Sequence, residues 1–311
     1  MTGILIVLAI LILLPVLTTG LLTAAGRLWV PPIGRFVTVD GARLHYRDVG
    51  DGPPIVLIHG AGAQMRTLTA TLEPRLSDRF RLIAIDRPGM GYPNPQTDEL
   101  TISRQAEILV AALDALDIRR PVLVGHSLGG ALALILAQRA PERFAGLALV
   151  APLTRHLEQM IEPFRSLVIP NERLRTALSY TIASPTALLR GPRTMRQAFA
   201  PEEPPTWFAI EGGGLLSARP RMFRAMSAEA TLGTGDMIAI AAAYPSMTTR
   251  VAILYGREDA ILNPATQGEQ TAAEIPAATI DLVSGGHLLP ITQPDLTADW
   301  IAKRANEMLA R

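Results

Sequence analysis

Ser127 stands in Gly125-His126-Ser127-Leu128-Gly129, directly after the apolar run Val122-Leu123-Val124 and before a helical stretch opening at Leu128. A G-x-S-x-G element in a strand–turn–helix setting lifts the serine hydroxyl out of the end of a sheet, and its glycines let the two elements approach closely. That hydroxyl is a poor nucleophile until a base takes its proton. His287 is the candidate base. It follows the apolar run ending at Val283, and Ser284-Gly285-Gly286 gives its loop the freedom to carry an imidazole over the serine. Such a base needs a carboxylate to fix its tautomer and stabilise the imidazolium. Asp259, just past the run Val251 to Tyr255, fits that role, with the adjacent Glu258 as alternative. The oxyanion formed on attack would be met by two backbone donors, each typically worth ~3 kcal/mol of barrier. These are the N–H of Leu128, at a helix start, and that of Ala61, in the turn His59-Gly60-Ala61-Gly62.

Other chemistries are thinly supplied. The chain has no cysteine, which removes disulfides, thiol nucleophiles and cysteine-ligated metals. Five histidines occur (His45, His59, His126, His156, His287), and none pairs into an H-E-x-x-H helix. The set of Ser127, Asp259 and His287 calls for no metal or organic cofactor. A net charge of +1 with scattered charges provides no basic stripe for phosphates, so nucleic acid is not expected as a partner.

These residues must be held by a sheet. Short apolar runs bounded by turn residues recur at 36–39, 44–46, 55–58, 82–85, 122–124, 147–150, 251–255 and 279–283, with helical patterns such as 102–116 and 128–140 between them. Strands buried on both faces and alternating with helices describe an α/β fold with a mostly parallel sheet and helices on both faces. Residues 153–249 break the rhythm, are rich in proline and arginine, and read as a helical insertion. They hold six of the ten methionines: Met160, Met195, Met222, Met226, Met237 and Met247. Flexible, polarizable methionine suits an adaptable apolar pocket.

The combination resembles the α/β-hydrolase superfamily, in its branch of serine hydrolases with a helical cap. The residues carrying the resemblance are His59-Gly60-Ala61-Gly62, Asp86-Arg87-Pro88-Gly89, Gly125 to Gly130, Asp259 and His287, and it covers residues 35 to 311. It implies a catalytic triad in the order Ser127, Asp259, His287, an oxyanion hole of Leu128 and Ala61 N–H groups, and a D-R-P-G loop at the site rim. It also implies a cap, 153–249, set into a core of 27–152 and 250–311. Relatives that open epoxides or displace halide carry Asp at the elbow, so Ser127 points instead to ester hydrolysis. The same triad also serves amides, lactones, carbon–carbon bonds and peracid formation, and a non-catalytic binding protein on this fold is a further alternative.

Residues 1–26 carry no charged side chain, and 4–22 is almost unbroken Ile, Leu, Val and Ala. At ~1.5 Å per residue such a helix matches a hydrocarbon core of ~30 Å. The sequence therefore predicts an N-terminal transmembrane anchor over 1–26, with cleavage as a signal peptide near Thr23-Ala24-Ala25 as the alternative. Arg27, Arg35, Arg43 and Arg47 follow the segment, which places the hydrolase domain in the cytoplasm by the positive-inside rule. Secretion follows if the segment is cleaved. The expected activity is hydrolysis of a small, hydrophobic ester near the bilayer.

Overall fold

The computed structural model describes residues 2–92, 101–158 and 162–310, without the side chains of residues 3, 5–12, 162 and 163. Its strands are β1 Arg35–Val39, β2 Ala42–Val49, β3 Pro54–Ile58, β4 Arg81–Ile85, β5 Val122–His126, β6 Gly146–Val150, β7 Val251–Gly256 and β8 Ala278–Val283. Its helices are α1 Thr2–Trp29, α2 Arg66–Leu76, α3 Ile102–Ala115, α4 Leu128–Arg139, α5 Glu162–Arg165, α6 Glu172–Leu178, α7 Ser184–Phe199, α8 Pro220–Leu232, α9 Thr234–Ala242, α10 Gln270–Glu274, α11 Leu289–Thr292 and α12 Pro294–Leu309. The eight strands form one sheet in the order β1-β2-β4-β3-β5-β6-β7-β8. β1 and β2 pair antiparallel, β2 meets β4 antiparallel, and every later pairing is parallel.

Side chains alternate across this sheet, so each central strand feeds two cores. Ile55, Leu57, Val122 and Val124 pack beneath α2 and α12, whereas Val56, Ile58 and Leu123 pack beneath α3 and α4. Helix α4 is buried from Leu128 to Ala137, which explains why its sequence is apolar on every face. The chain runs from β3 out to β4 and then crosses back to β5 on the other side of β3. In open α/β sheets, ligands bind at the carboxyl ends of the strands beside such a reversal. His59–Ala61 and Ser127 leave β3 and β5 at that end.

Between β6 and β7 the described residues form helices α5 to α9 and short turns, and no strand. α6, a wider π-helical turn over Ser179–Ala183, and α7 run on without interruption.

The N-terminal expectation is corrected in part. Among the described residues no helix is long and apolar enough to cross a membrane, so the transmembrane span over 1–26 is not shown. Met1 and the side chains of residues 3 and 5–12 lie outside the described set. The second half of α1 also rests on protein rather than standing free. Thr19 is buried and its hydroxyl donates to Thr181 O at 3.2 Å, and Gly26 is buried beside Leu216. Small side chains at 19 and 26 permit that close approach.

Candidate active site

Ser127 joins β5 to α4 with φ 54° and ψ −123°, a conformation strained for any residue but glycine. Three backbone hydrogen bonds hold it there: its N–H donates to Val150 O at 3.2 Å, and its carbonyl accepts from Gly130 N at 2.8 Å and Leu153 N at 2.9 Å. The crowding is steric as well. A Cβ on Gly125 would lie 2.6 Å from Gly129 O, and one on Gly60 would lie 2.8 Å from Ser127 Cβ. The turn after β3 therefore lies directly against the serine.

His287 Nδ1–H donates to Asp259 Oδ2 at 2.8 Å, which leaves Nε2 free to accept a proton. The other carboxylate oxygen, Oδ1, accepts from Ile261 N at 2.8 Å and Leu262 N at 2.9 Å. Asp259 is thus saturated with donors and its side chain is fully buried. Glu258 plays a different part: its carboxylate accepts from Gly285 N at 2.5 Å, on the loop leading to His287. Ser127, Leu128, Ala61 and His287 all line one cavity of about 280 Å³.

Two further histidines brace the site. His126 Nε2–H donates to the His287 carbonyl at 3.0 Å, with the two rings 5.0 Å apart. Burial, reinforced by the neighbouring His287, lowers its pKa to about 3, so it stays neutral. His59 Nδ1–H donates to Gly60 O at 2.9 Å while Nε2 accepts from Arg87 N at 3.0 Å. Burial first, then the Arg87 charge, lowers its pKa to about 3 as well.

The D-R-P-G loop is not a rim, contrary to expectation, because both its charges are buried and partnered inside. Asp86 accepts from Met65 N at 2.8 Å, Tyr92 N at 3.1 Å and His45 Nδ1 at 2.8 Å. Burial alone would raise its pKa, but these donors hold it below the ordinary carboxylate value. Arg87 donates from Nε to His59 O at 2.9 Å and from Nη2 to Gly60 O at 3.0 Å. In a trans peptide the N–H points opposite to the C=O. Fixing the Gly60 carbonyl on Arg87 therefore turns the Ala61 N–H away from Arg87, as an oxyanion donor requires. Arg87 Nη1 also reaches Glu229 Oε1 at 2.5 Å and Gln105 Oε1 at 2.8 Å.

The cap closes the cavity with Leu157, Phe164, Met195, Phe208, Met226 and Met237. Of the remaining methionines singled out in the sequence, Met222 and Met247 are buried in packing, and Met160 lies outside the described residues. Glu202, also in the cap, accepts from Gly286 N at 3.2 Å beside His287. Sequence reasoning missed Glu202, Glu229 and the bracing role of His126. Each acts across more than 80 residues of chain, and nothing in its local sequence marks it. Among the described residues, no group of three His, Asp or Glu side chains is placed to hold a metal.

A strained serine on a strand–helix turn that lines one cavity with a carboxylate-bound imidazole, at the end of a mostly parallel sheet, is a site of the serine-hydrolase kind. The alpha/beta hydrolase family model matches residues 55–300, and the chain belongs to that family. A 2-hydroxymuconate semialdehyde hydrolase of Pseudomonas putida is 40% identical over 136 residues, covering 41% of this chain and 48% of the relative. The chain thus matches less than half the length of such curated relatives. In three dimensions, a thermophilic esterase from Thermogutta terrifontis superposes with a TM-score of 0.70 at 24% identity, covering 88% of this chain and 99% of the other. A membrane phospholipase A described as a bacterial virulence factor superposes with a TM-score of 0.68 at 20% identity, covering 99% of this chain and 97% of the other.

Proposed function

We propose that the protein is a membrane-anchored serine hydrolase that cleaves apolar carboxylic esters through an acyl-enzyme. The observation that carries this is the His287–Asp259 hydrogen bond, which leaves Nε2 open in the cavity that Ser127 also lines. Ser127 attacks the ester carbonyl as His287 accepts its proton, and Asp259 stabilises the imidazolium. The N–H groups of Leu128 and Ala61 receive the tetrahedral oxyanion. His287 then protonates the departing alcohol. Water, activated by the same imidazole, releases the acid and restores the hydroxyl.

The composition of the cavity supports an apolar substrate, since Leu157, Phe164, Met195, Phe208, Met226 and Met237 of the cap line it together with Ser127. Among the described residues lining it, the one arginine, Arg155, is ion-paired with Glu274. An anionic substrate would find that cation already matched. This favours neutral esters over anionic substrates.

The architecture of the proposal is a core of 27–152 and 250–311, a cap over 153–249, and an anchor in the charge-free residues 1–26, with the hydrolase domain on the cytoplasmic side. Ile4, Leu13, Leu14 and Leu17 are exposed on α1, as an anchor in lipid requires. The structural likeness to the membrane phospholipase A extends over 99% of this chain and so includes α1.

Hydrolysis of a graded series of acyl esters, alongside fluorophosphonate labelling, tests the reading. Labelling confined to Ser127, activity lost in Ser127→Ala without unfolding, and preference for longer acyl chains are expected. Full activity in Ser127→Ala overturns the nucleophile, and preference for short esters over all longer ones overturns the apolar substrate.

A further inference from the structure

The hydrolytic chemistry does not use the outer face of the cap, yet that face has a distinctive surface. Between Phe164 and Phe199 five exposed arginines, Arg165, Arg173, Arg190, Arg193 and Arg196, stand against one carboxylate, Glu172, in a chain whose net charge is only +1, while a sixth, Arg175, is buried. Exposed apolar side chains accompany them: Tyr180 and Ile182 on the π-helical turn, then Leu188 and Leu189 at the start of α7, with Leu189 82% exposed. Isolated exposed apolar residues are ordinary, but a basic amphipathic stretch that keeps several together marks an interaction surface.

The periodicity of α7 orients that surface. Leu189, Arg193 and Arg196 fall at i, i+4 and i+7, one outward stripe of the helix, and all three are exposed. Thr194, Met195 and Ala198 lie on the opposite stripe and line the active-site cavity. One helix thickness, ~10 Å, separates the outer stripe from the cavity. The second half of α1 is seated on the same part of the cap through Thr19 and Thr181. Thr181 lies between the exposed Tyr180 and Ile182, so α1 touches the cap within that apolar stretch.

We infer that this face of the cap docks on an anionic lipid bilayer, with Leu188 and Leu189 at the acyl boundary and Arg190, Arg193 and Arg196 among the headgroups. Arginines at a bilayer surface attract anionic lipid, and exposed leucines beside them supply the apolar contact at the acyl boundary. Docking there sets the roof of the cavity against the source of an apolar ester. The inference deepens the proposed action at a membrane and rests on it.

The absence of native cysteine makes single-site labelling clean. Full-length Leu14→Cys, Leu189→Cys and Arg119→Cys variants would carry an environment-sensitive fluorophore. They would be reconstituted in phosphatidylcholine vesicles with and without phosphatidylglycerol. Unchanged turnover of a water-soluble ester shows that each variant is folded. The label at 189 is expected to be several-fold less open to an aqueous quencher than that at 119, and only when phosphatidylglycerol is present. Replacing Arg190, Arg193 and Arg196 with Gln should lower the docked-to-undocked ratio on the order of tenfold or more, since each surface arginine strengthens such binding several-fold. Protection at 14 with labels at 189 and 119 equally open overturns the docking and leaves the anchor standing. Equal openness at all three overturns both. Protection at 189 that ignores lipid charge and the arginines overturns the anionic assignment. Protection without any ester turnover leaves the docking intact and removes the hydrolase.

Discussion

Arg87 Nη1 lies 2.5 Å from Glu229 Oε1, joining the loop after β4 to helix α8 of the cap through an ion pair with side chains 1% and 3% exposed. Removing two charges from water is costly, so such a pair contributes little net stability. What it supplies here is position. The same guanidinium holds the carbonyls of His59 and Gly60, so one side chain ties the turn after β3, the sheet and the cap together.

Glu229→Gln leaves the Arg87 charge buried without its counter-ion and is expected to cost about 3–5 kcal/mol in denaturant unfolding. Replacing both residues with Met should recover most of that loss, because no buried charge is then stranded. Ester turnover should stay low in the double variant, since the His59 carbonyl loses its guanidinium donor and the Gly60 carbonyl is left with His59 Nδ1–H alone. Recovery of stability and turnover together would show that the pair does not position the turn.

Gly60→Ala probes the contact between that turn and Ser127. The added methyl would lie 2.8 Å from Ser127 Cβ and 3.3 Å from Oγ, too close to be accommodated without a shift. Overpacking of this kind costs about 1–3 kcal/mol, and a displaced serine should lose at least tenfold in kcat/KM and label slowly with a fluorophosphonate. Gly191→Ala is the control. Because Gly191 precedes Pro192, whose ring crowds a Cβ in a helical residue before it, the methyl should cost stability locally in α7 while leaving turnover unchanged, as nothing else lies within 4 Å of it.

Much of this site was legible in the sequence because each member carries a local signature. Apolar runs bounded by turns gave all eight strands, and the glycines beside Ser127 and before His287 announced tight loops. Asp259 was separable from Glu258 only in space, where Asp259 reaches His287 and Glu258 turns to Gly285 N. Arg87 was visible as part of a motif, but its buried role depends on Glu229, 142 residues away, and no local pattern encodes that pairing. The N-terminal segment shows the opposite failure. Hydropathy read residues 1–26 as one membrane unit, whereas packing at Thr19 and Gly26 splits α1 between protein and its exposed leucines.

Asp259→Asn should separate orientation from binding. The amide oxygen can still accept from Ile261 and Leu262, so the loop keeps its shape. The amide nitrogen, however, presents a donor to His287 Nδ1–H. The imidazole then shifts its proton to Nε2 and cannot accept one from Ser127. A fall in kcat on the order of 10³- to 10⁴-fold with KM nearly unchanged is expected. Glu258→Gln should stay within a few-fold of the parent, and a loss there as large as in Asp259→Asn would reassign the carboxylate.

The two neutral buried histidines predict acid sensitivity. His59 and His126 each have a folded pKa of about 3 against an unfolded value of 6.5, so the unfolded chain binds protons that the folded one refuses. Stability therefore rises with pH across that interval. Their contribution is complete above pH 6.5 and drains away as pH falls towards 3. Each histidine adds a slope of about 1.4 kcal/mol per pH unit, so the pair gives about 2.7 between roughly pH 6 and 4. His126→Asn removes one titration. It should lower stability near neutrality, by loss of packing against His287, yet flatten the acid limb to about half its slope. Urea midpoints measured at intervals across this range would show the difference directly. Parent and variant curves running parallel would mean that His126 is already protonated in the folded protein, or that acid unfolding is governed by the carboxylates alone.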